Sequence, residues 1–299
     1  MRVVQIRVSS AMMSYGSPVF KAMLGNDFKE GRQLKTASRV EIQLPDDNAR
    51  VMVIICQVLH LRHYALPADL SSSEILQVAA LADKYDCVEA LRFASQHWMS
   101  KRMDSMGTAM STPDRVNMLA AACLLHNADV FRRMAQNLSM HTRGRVPLPN
   151  IGGQLAVVDE TITRINDAKT ACLREVAEFV EEIVEEQCCV RAAHDSTSRC
   201  QDSCTFAEVR SSALLLHLRA YKLWPVTQLE QFSLAELFHR STKLEIKWPP
   251  NLRRCDGDPP FHCVANFAVS ARDLSGIFGD KARHLAVYYM HAWSAPGLA

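Results

Sequence analysis

Residues 17–47, which read SPVFKAMLGNDFKEGRQLKTASRVEIQLPDD, contain the pattern that decides the fold. Ser17-Pro18 is typical of a helix start, because a serine side chain caps free amides and proline fits the first helical position. Gly25 predicts the end of that short helix. Residues 40–44 alternate apolar and polar side chains, which predicts a strand with one buried face. Pro45-Asp46-Asp47 ends this strand, and we interpret its carboxylates as the cap of the next helix.

The rest of the chain adds one strand and many helices. Residues 3–8 contain β-branched side chains in rough alternation and predict a short strand. Residues 114–140 predict one or two helices with a break near residue 127, and residues from 159 to about 187 predict the longest helix. Four capping boxes, each a Ser, Thr or Asp three residues before a Glu, predict further helix starts at Ser71, Asp86, Thr205 and Ser233.

These elements predict the fold class and its division into domains. A strand pair with helices clustered around it indicates an α+β fold, and at 299 residues the chain is long enough for a second domain. We expect a small α+β domain over residues 1–100 and a linker of small, mixed residues over 101–112. A mainly α-helical C-terminal domain then covers 113–250, and a loop with a C-terminal helix covers 251–299.

Charge and hydropathy exclude several classes of function. Lys and Arg number 34 and Asp and Glu 32, so a net charge of +2 gives no field that binds nucleic acid or an anionic membrane without specificity. Basic clusters such as Arg32, Lys35 and Arg39 are interpreted as solvated surface, because no aromatic residues alternate with them. Apolar runs are far shorter than a membrane span, and residues 1–7 lack a signal-peptide core. We therefore expect a soluble intracellular protein, cytoplasmic or nuclear, that binds neither nucleic acid nor membrane.

Sequence patterns of enzymes are absent. The chain contains no G-x-S-x-G, no phosphate-binding loop, no dinucleotide-binding glycines and no H-E-x-x-H. His60 and His63 follow a predicted helix end, where positive charge is favourable, and a capping role explains them better than catalysis. We expect no enzyme activity and no cofactor.

The ten cysteines leave one alternative open. Without a secretory signal their even number does not indicate disulfides. Four lie in apolar helical contexts and are expected to be small buried residues: Cys56, Cys87, Cys123 and Cys172. In the tail, a cluster of Cys and His in two irregular loops leaves a structural zinc site open, because zinc binds four such ligands tetrahedrally. Its members are Cys188, Cys189, Cys200, Cys204, Cys255, His262 and Cys263, with Cys200-x3-Cys204 and His262-Cys263 as the candidate ligand pairs. No C-x-x-C pair is present, so free thiols are favoured and no metal is assigned.

Five segments in order resemble the BTB/POZ domain, and more narrowly the large group of fungal BTB proteins. They read RVSSAMMS (7–14), SPVFKAM (17–23), FKEG (28–31), VEIQLPDD (40–47) and LADKYDC (81–87). Each is weak alone, but the set in this order and spacing is specific. The resemblance covers about residues 3–100, while residues 223–225 and 232–237 are more loosely similar to the helical tail of these proteins.

The resemblance and the apolar pattern together predict one core in the N-terminal domain. Each large apolar side chain that is fully buried there contributes roughly 1.5–3 kcal/mol. Tyr85 stands where a helix stops, and its hydroxyl needs a hydrogen-bond partner. The predicted core residues are Phe20, Met23, Ile42, Leu44, Ile54 and Leu81.

The resemblance implies binding rather than catalysis. BTB/POZ domains self-associate, and many recruit substrates to a cullin ubiquitin ligase. In those adaptors a three-residue motif between the second helix and the next strand contacts the cullin. The motif is a hydrophobic residue, then any residue, then Glu. This position reads Phe28-Lys29-Glu30, an apolar anchor with a charge beside it. We predict Phe28 and Glu30 as partner-binding residues of a module for self-association and partner recruitment, with a cullin substrate adaptor as the alternative. Similar residues also occur in BTB domains that bind no cullin, so Phe28 packing on its own domain beside a solvated Glu30 stays open.

The start of the chain differs from the resemblance. Such domains usually have a strand before the segment that here reads Arg7-Val8-Ser9-Ser10. We expect this strand to be missing here, through either a truncated gene model or a divergent copy. We therefore expect a short sheet with an open edge along residues 3–8. An open edge favours pairing with another chain and lowers stability.

Overall fold

The computed structural model describes residues 4–37, 39–106, 110–150, 155–188, 206–247, 276–281 and 284–285. These residues divide into two compact units, each with its own core. The first unit holds the described residues up to Leu138 together with those of Pro147–Ile162. The second holds Ser139–Val146 and the described residues from Thr163 onward.

Helices dominate both units. The first part of the chain contains α1 (Ser10–Gly16), α2 (Pro18–Met23), α3 (Lys29–Thr36), α4 (Ala49–Leu59), a 3₁₀ turn (His63–Ala65), α5 (Ser72–Lys84), α6 (Val88–Met106), α7 (Thr112–Leu124) and α8 (Ala128–His141). The later part contains α9 (Ala156–Cys188), α10 (Phe206–Ala220), a 3₁₀ turn (Val226–Gln231) and α11 (Leu234–Thr242). The break predicted within residues 114–140 separates α7 from α8, and the longest predicted helix is α9.

Local hydrogen bonds confirm most of the predicted helix starts. Ser17 Oγ accepts a hydrogen bond from the Phe20 amide at 3.0 Å, and proline occupies the first position of α2. The capping boxes predicted at Ser71 and Ser233 are both formed, at the starts of α5 and α11. Thr205 lies outside the described residues.

Two predicted caps are wrong. The cap of α4 is Asn48 rather than Asp46-Asp47, and its side-chain oxygen accepts from the second and third helical amides at 3.0 and 3.4 Å. Asp86 does not open α6, because its φ of 48° places it in the turn that closes α5. At α4 the carboxylates compete with Asn48, whose side chain makes the cap, and the spacing of residues alone does not reveal which neighbour does so.

Helices α4, α5, α7 and α10 end in the same way. The second residue after each of these helices has a positive φ of 48–58°. The amide of the next residue returns to the carbonyl five positions earlier at 2.8–2.9 Å. No glycine occupies these turns, so each left-handed conformation costs about 1–2 kcal/mol and is held by the surrounding packing. The residues are Leu61, Asp86, His126 and Lys222.

The sheet of the predicted α+β fold is not confirmed, because the described residues contain no strand. Residues 4–9 and 39–44 are non-helical, yet no backbone hydrogen bond joins them in the described part of the chain. The Ser9 amide donates instead to Nε2 of His60 at 2.8 Å. A strand exists only when a neighbour accepts and donates along it, so alternation in sequence was insufficient. The open edge expected along residues 3–8 stays a prediction.

The core of the first unit is organised by Tyr85 at the end of α5. Its ring stacks on Phe20 with centroids 4.5 Å apart, and its carbonyl accepts from Ser17 Oγ at 2.5 Å. Its hydroxyl donates to the Asp47 carboxylate, which also accepts from Lys84 Nζ at 2.6 Å. Burial and the adjacent carboxylate raise the pKa of Tyr85. One side chain therefore connects three of the five segments that carry the resemblance.

The predicted core is half correct. Phe20, Ile54 and Leu81 are at most 8% exposed. Met23, Ile42 and Leu44 are only half-buried, since no sheet covers residues 40–44. Helix α5 also packs along α7, and α6 continues to Met106, into the segment expected to be a linker.

The second unit packs α9, α10 and α11 around an aliphatic core, with Val176, Val180, Leu214, Leu218, Leu237 and Phe238 among its buried members. Two polar side chains of α9 hold the segment that follows α8. Asn166 bonds both the amide and the carbonyl of Val146, at 2.7 and 3.1 Å. Lys169, which is buried, donates to the carbonyls of Thr142 and Gly144 at 2.8 and 2.5 Å.

Candidate protein-interaction surface

The surface predicted to bind partners lies at the start of α3, immediately after α2. Helix α2 closes when the Leu24 amide donates to the Phe20 carbonyl and the Gly25 amide to the Ala22 carbonyl, both at 2.9 Å. Three residues later the chain enters α3. The sequence predicted no helix between Gly25 and residue 40, because only one aliphatic residue, Leu34, stands within α3.

Gly31 fixes the position of α3. It is the buried residue of this helix, and its backbone lies directly on the turn that follows α2. A Cβ at position 31 would stand 1.7 Å from the carbonyl oxygen of Gly25 and 2.6 Å from that of Leu24. Only glycine permits this approach, so the first turn of α3 is held against backbone rather than against flexible side chains.

Phe28 occupies the N-cap of α3. Its carbonyl accepts the first helical hydrogen bond, from the Arg32 amide at 3.1 Å. Its side chain makes no cap hydrogen bond, although Ser, Thr, Asp or Asn at this position would stabilise the helix by about 1 kcal/mol. The ring is 51% exposed. Phe28 therefore does not stabilise the start of the helix, and only about half of its side chain is buried.

Glu30 lies in the first turn of α3, two residues after Phe28. A carboxylate there is favoured by the helix dipole. Its side chain is half-buried, and it forms no ion pair within the part of the chain that the structure describes. Both predicted partner-binding residues thus belong to one helical turn, with the aromatic ring outward and the charge beside it.

The other candidate residues have structural roles. His60 caps α4: its Nδ1 bonds the Cys56 carbonyl at 2.7 Å, and its Nε2 accepts from the Ser9 amide. Asp47 is occupied by Tyr85 and Lys84. Neither His60 nor Asp47 therefore presents an unused functional group.

Cys56, Cys87 and Cys172 are buried thiols. Burial raises the pKa of Cys56 to about 11 and those of Cys87 and Cys172 to about 12, which makes them unreactive. Cys123 is partly exposed, and burial also raises its pKa. Among the described residues no group of three Cys, His, Asp or Glu side chains could hold a metal ion. Of the tail residues considered for zinc, Cys188 ends α9, and the others lie outside the described ranges: Cys189, Cys200, Cys204, Cys255, His262 and Cys263.

The first unit therefore presents the half-exposed ring of Phe28 at the start of α3, a helix whose backbone lies against the turn after α2 at Gly31. Residues 2–101 match the family model of the BTB/POZ domain, which covers the N-terminal third of the chain. Comparison with curated proteins and with solved structures gave no match. None of the described helices is long and apolar enough to cross a membrane.

The functional residue that the sequence reasoning missed is Gly31. A glycine three residues after the expected anchor weakens a helix by about 1 kcal/mol relative to alanine. A glycine that weakens a helix in this way indicates that another part of the backbone approaches closely, and this signal was present in the sequence.

Proposed function

We propose that this chain recruits a protein partner through its BTB/POZ domain, with Phe28 as the apolar anchor. The BTB/POZ family is a family of protein-interaction modules and is generally non-enzymatic. The observation that carries the proposal is the half-exposed ring of Phe28 at a helix cap that it does not stabilise. A residue that serves neither helix nor core well is best explained by a contact outside the chain.

The energetics suit an anchor. Aromatic side chains dominate binding when they enter a pocket of the partner, and truncation of such a residue typically costs about 2 kcal/mol or more. The ring of Phe28 is presented on a helix held against backbone at Gly31, so little conformational entropy is lost when it binds. Glu30 on the same turn adds one charge, which fixes the orientation of the partner.

The narrower proposal is that the partner is a cullin scaffold. It is supported by the match of Phe28-Lys29-Glu30 to the contact of such adaptors, together with the exposure of the phenylalanine. We also propose self-association. Its support is the N-terminal segment, in which Val4 and Val8 are 50% and 40% exposed. BTB/POZ proteins are typically intracellular, and the choice between cytoplasm and nucleus stays a prediction.

The anchor is tested with Phe28→Ser, which separates binding from folding. Serine supplies the missing cap, worth about 1 kcal/mol. This gain offsets the loss of the half-buried ring, also about 1 kcal/mol. We expect an unchanged melting temperature within a few degrees and at least a tenfold weaker affinity for a purified cullin N-terminal fragment, measured by calorimetry.

A matched control is Phe93→Ala on α6, which removes a ring that is 85% exposed and lies elsewhere in the unit. It should leave binding within twofold of wild type. If the cullin fragment binds wild type and Phe28→Ser equally, Phe28 is not the anchor. If the fragment does not bind wild type at all, the cullin proposal fails while recruitment of another protein remains to be judged by crosslinking at α3. Sedimentation of the full chain, which should give a species larger than one chain, tests self-association independently.

A further inference from the structure

The exposed face of α3 carries a row of positive charges. This row consists of Lys29, Arg32 and Lys35, which are spaced three residues apart and are all exposed. None of them forms an ion pair within the described residues. The segment from residue 21 to residue 39 contains five basic and two acidic residues, a net charge of +3, whereas the whole chain carries +2. The local excess is therefore balanced elsewhere in the chain and not at α3.

This row does not help the helix that carries it. Like charges three residues apart destabilise a helix by roughly 0.2–0.5 kcal/mol per pair. Three other exposed arginines are paired on their own helices, namely Arg92 with Glu89, Arg132 with Asp129 and Arg174 with Glu178, although Arg133 and Arg219 form no ion pair in the described part of the chain. Helix α3 is short, contains a glycine and still carries three unpaired like charges, so their placement is explained better by what α3 meets than by its stability.

We infer that the partner docked on Phe28 presents an acidic surface, with Asp and Glu side chains facing Lys29, Arg32 and Lys35 around an apolar pocket for the ring. This inference rests on the proposed recruitment through Phe28 and specifies the chemistry of the partner. The three cations adjoin the anchor along one helix, so a single protein surface can contact both. Charges arranged in this way increase the association rate and select among partners, and their effect decreases as salt rises.

A protein fits this face better than a nucleic acid. Nucleic-acid surfaces interleave cations with several aromatic rings or read bases from a groove, and α3 offers one aromatic ring at its end. Nucleic acid is therefore an outcome that the experiment must exclude.

The experiment begins by trapping what touches α3 in the native cell. A photo-crosslinking residue replaces Gln33, which is exposed on the same helix, in the full chain; a second chain carries it at Thr242, exposed on α11, as background. The crosslinked protein is identified and its crosslinked segment sequenced. We expect a segment in which acidic residues outnumber basic ones. A segment without acidic excess, a crosslink to RNA or DNA, or no crosslink above the Thr242 background would overturn the inference.

The trapped partner is then purified and titrated against three full-length proteins at 50, 150 and 300 mM salt. Reversal of the row in Lys29→Glu, Arg32→Glu and Lys35→Glu should weaken binding at least tenfold at 50 mM, and the loss should shrink at 300 mM. The matched control reverses three exposed cations of the second unit, Arg219→Glu, Lys222→Glu and Lys243→Glu, with the same change in net charge. It should change affinity less than twofold. Equal effects of the two triple variants would overturn the inference.

Two further variants keep this result separate from the proposed anchor. A neutral triple, Lys29→Gln, Arg32→Gln and Lys35→Gln, should lose part of the affinity and also the salt dependence, even if the reversed triple is unstable. Loss of binding in Phe28→Ser with no effect of the neutral triple means that the anchor is right and the acidic partner surface wrong. The opposite result means that the basic row binds and Phe28 does not.

Discussion

Gly31→Ala is the substitution that tests the geometry of the interaction surface most directly. In an exposed helix interior, replacing glycine by alanine stabilises a protein by roughly 0.5–1 kcal/mol. Here the added Cβ would lie 1.7 Å from the Gly25 carbonyl oxygen, although real contacts of this kind are essentially never under 3.0 Å. The first turn of α3 must then move by at least about 1.3 Å away from the turn after α2. The obstacle is backbone, which cannot rotate away as a side chain would.

The sign of the stability change follows from two opposing effects. Overpacking of this kind costs typically about 1–3 kcal/mol, and the helix propensity of alanine returns about 1 kcal/mol. We expect a net loss of up to about 2 kcal/mol in the free energy that holds α3 in place. Because Phe28 begins this helix, its ring should move as well, and partner affinity should fall although Phe28 is unchanged.

The assay is hydrogen exchange of the full chain, followed by mass spectrometry of peptides that cover residues 29–36. Amides of α3 should exchange faster in Gly31→Ala than in wild type, while peptides of the second unit should be unaffected. Gln33→Ala is the control, because residue 33 is exposed and such changes usually stay within about 0.5 kcal/mol. Slower exchange of α3 in Gly31→Ala, or a higher melting temperature, would refute the close approach at Gly31 and the reasoning built on it.

Four further predictions concern other parts of the chain. Tyr85→Phe removes a hydrogen bond to the Asp47 carboxylate and should cost about 1.5–3 kcal/mol in urea unfolding followed in the first unit; no change would mean that water replaces the hydroxyl. Lys169→Met leaves two carbonyls without their donor and should cost about 1–3 kcal/mol at pH 7. Burial lowers the pKa of Lys169 to about 8 in the folded protein, so wild-type stability should rise from about pH 8 towards 10.5, and this rise should disappear in Lys169→Met. Glu236 accepts hydrogen bonds from Arg143 and Ser233, which lower its pKa to about 2. The second unit should therefore lose stability as pH falls from 4.5 towards 2, and Glu236→Gln should make this loss smaller. Metal analysis of the full chain should find well under half an equivalent of zinc, because no C-x-x-C pair supports a site; one equivalent would point to the tail residues Cys200, Cys204, Cys255 and Cys263.

The helix starts were predictable because they depend on contacts within four residues. A serine or asparagine side chain satisfies amides that lie two or three positions ahead, so Ser17, Ser71 and Ser233 could be recognised from sequence. The sequence does not show which of several adjacent Asn and Asp side chains makes a cap. Asn48 caps α4, where Asp46-Asp47 was expected. Asp47 was unavailable because it bonds Tyr85, a residue far along the chain.

The helix ends were less predictable. Glycine is the usual signal for a left-handed turn, yet Leu61, Asp86, His126 and Lys222 adopt it here. Their conformations cost energy locally and are held by packing that the local sequence does not contain. The predicted strands are not confirmed, for a related reason: a strand depends on a neighbour, and the described residues provide none for residues 4–9 or 39–44.

By itself, the sequence determined the family of the N-terminal third, the helical character of the remainder and the identity of Phe28 and Glu30 as candidate contacts. These conclusions rest on local caps, apolar periodicity and short motifs, each of which depends only on residues that are close in the sequence. Only the tertiary structure decided that Phe28 caps a helix with half of its ring exposed, and that three unpaired cations continue along that helix. It also decided why position 31 must be glycine. Each of these facts depends on where residues 24–25 lie relative to α3, and a distance between two segments is set by the packing of the whole unit rather than by either segment.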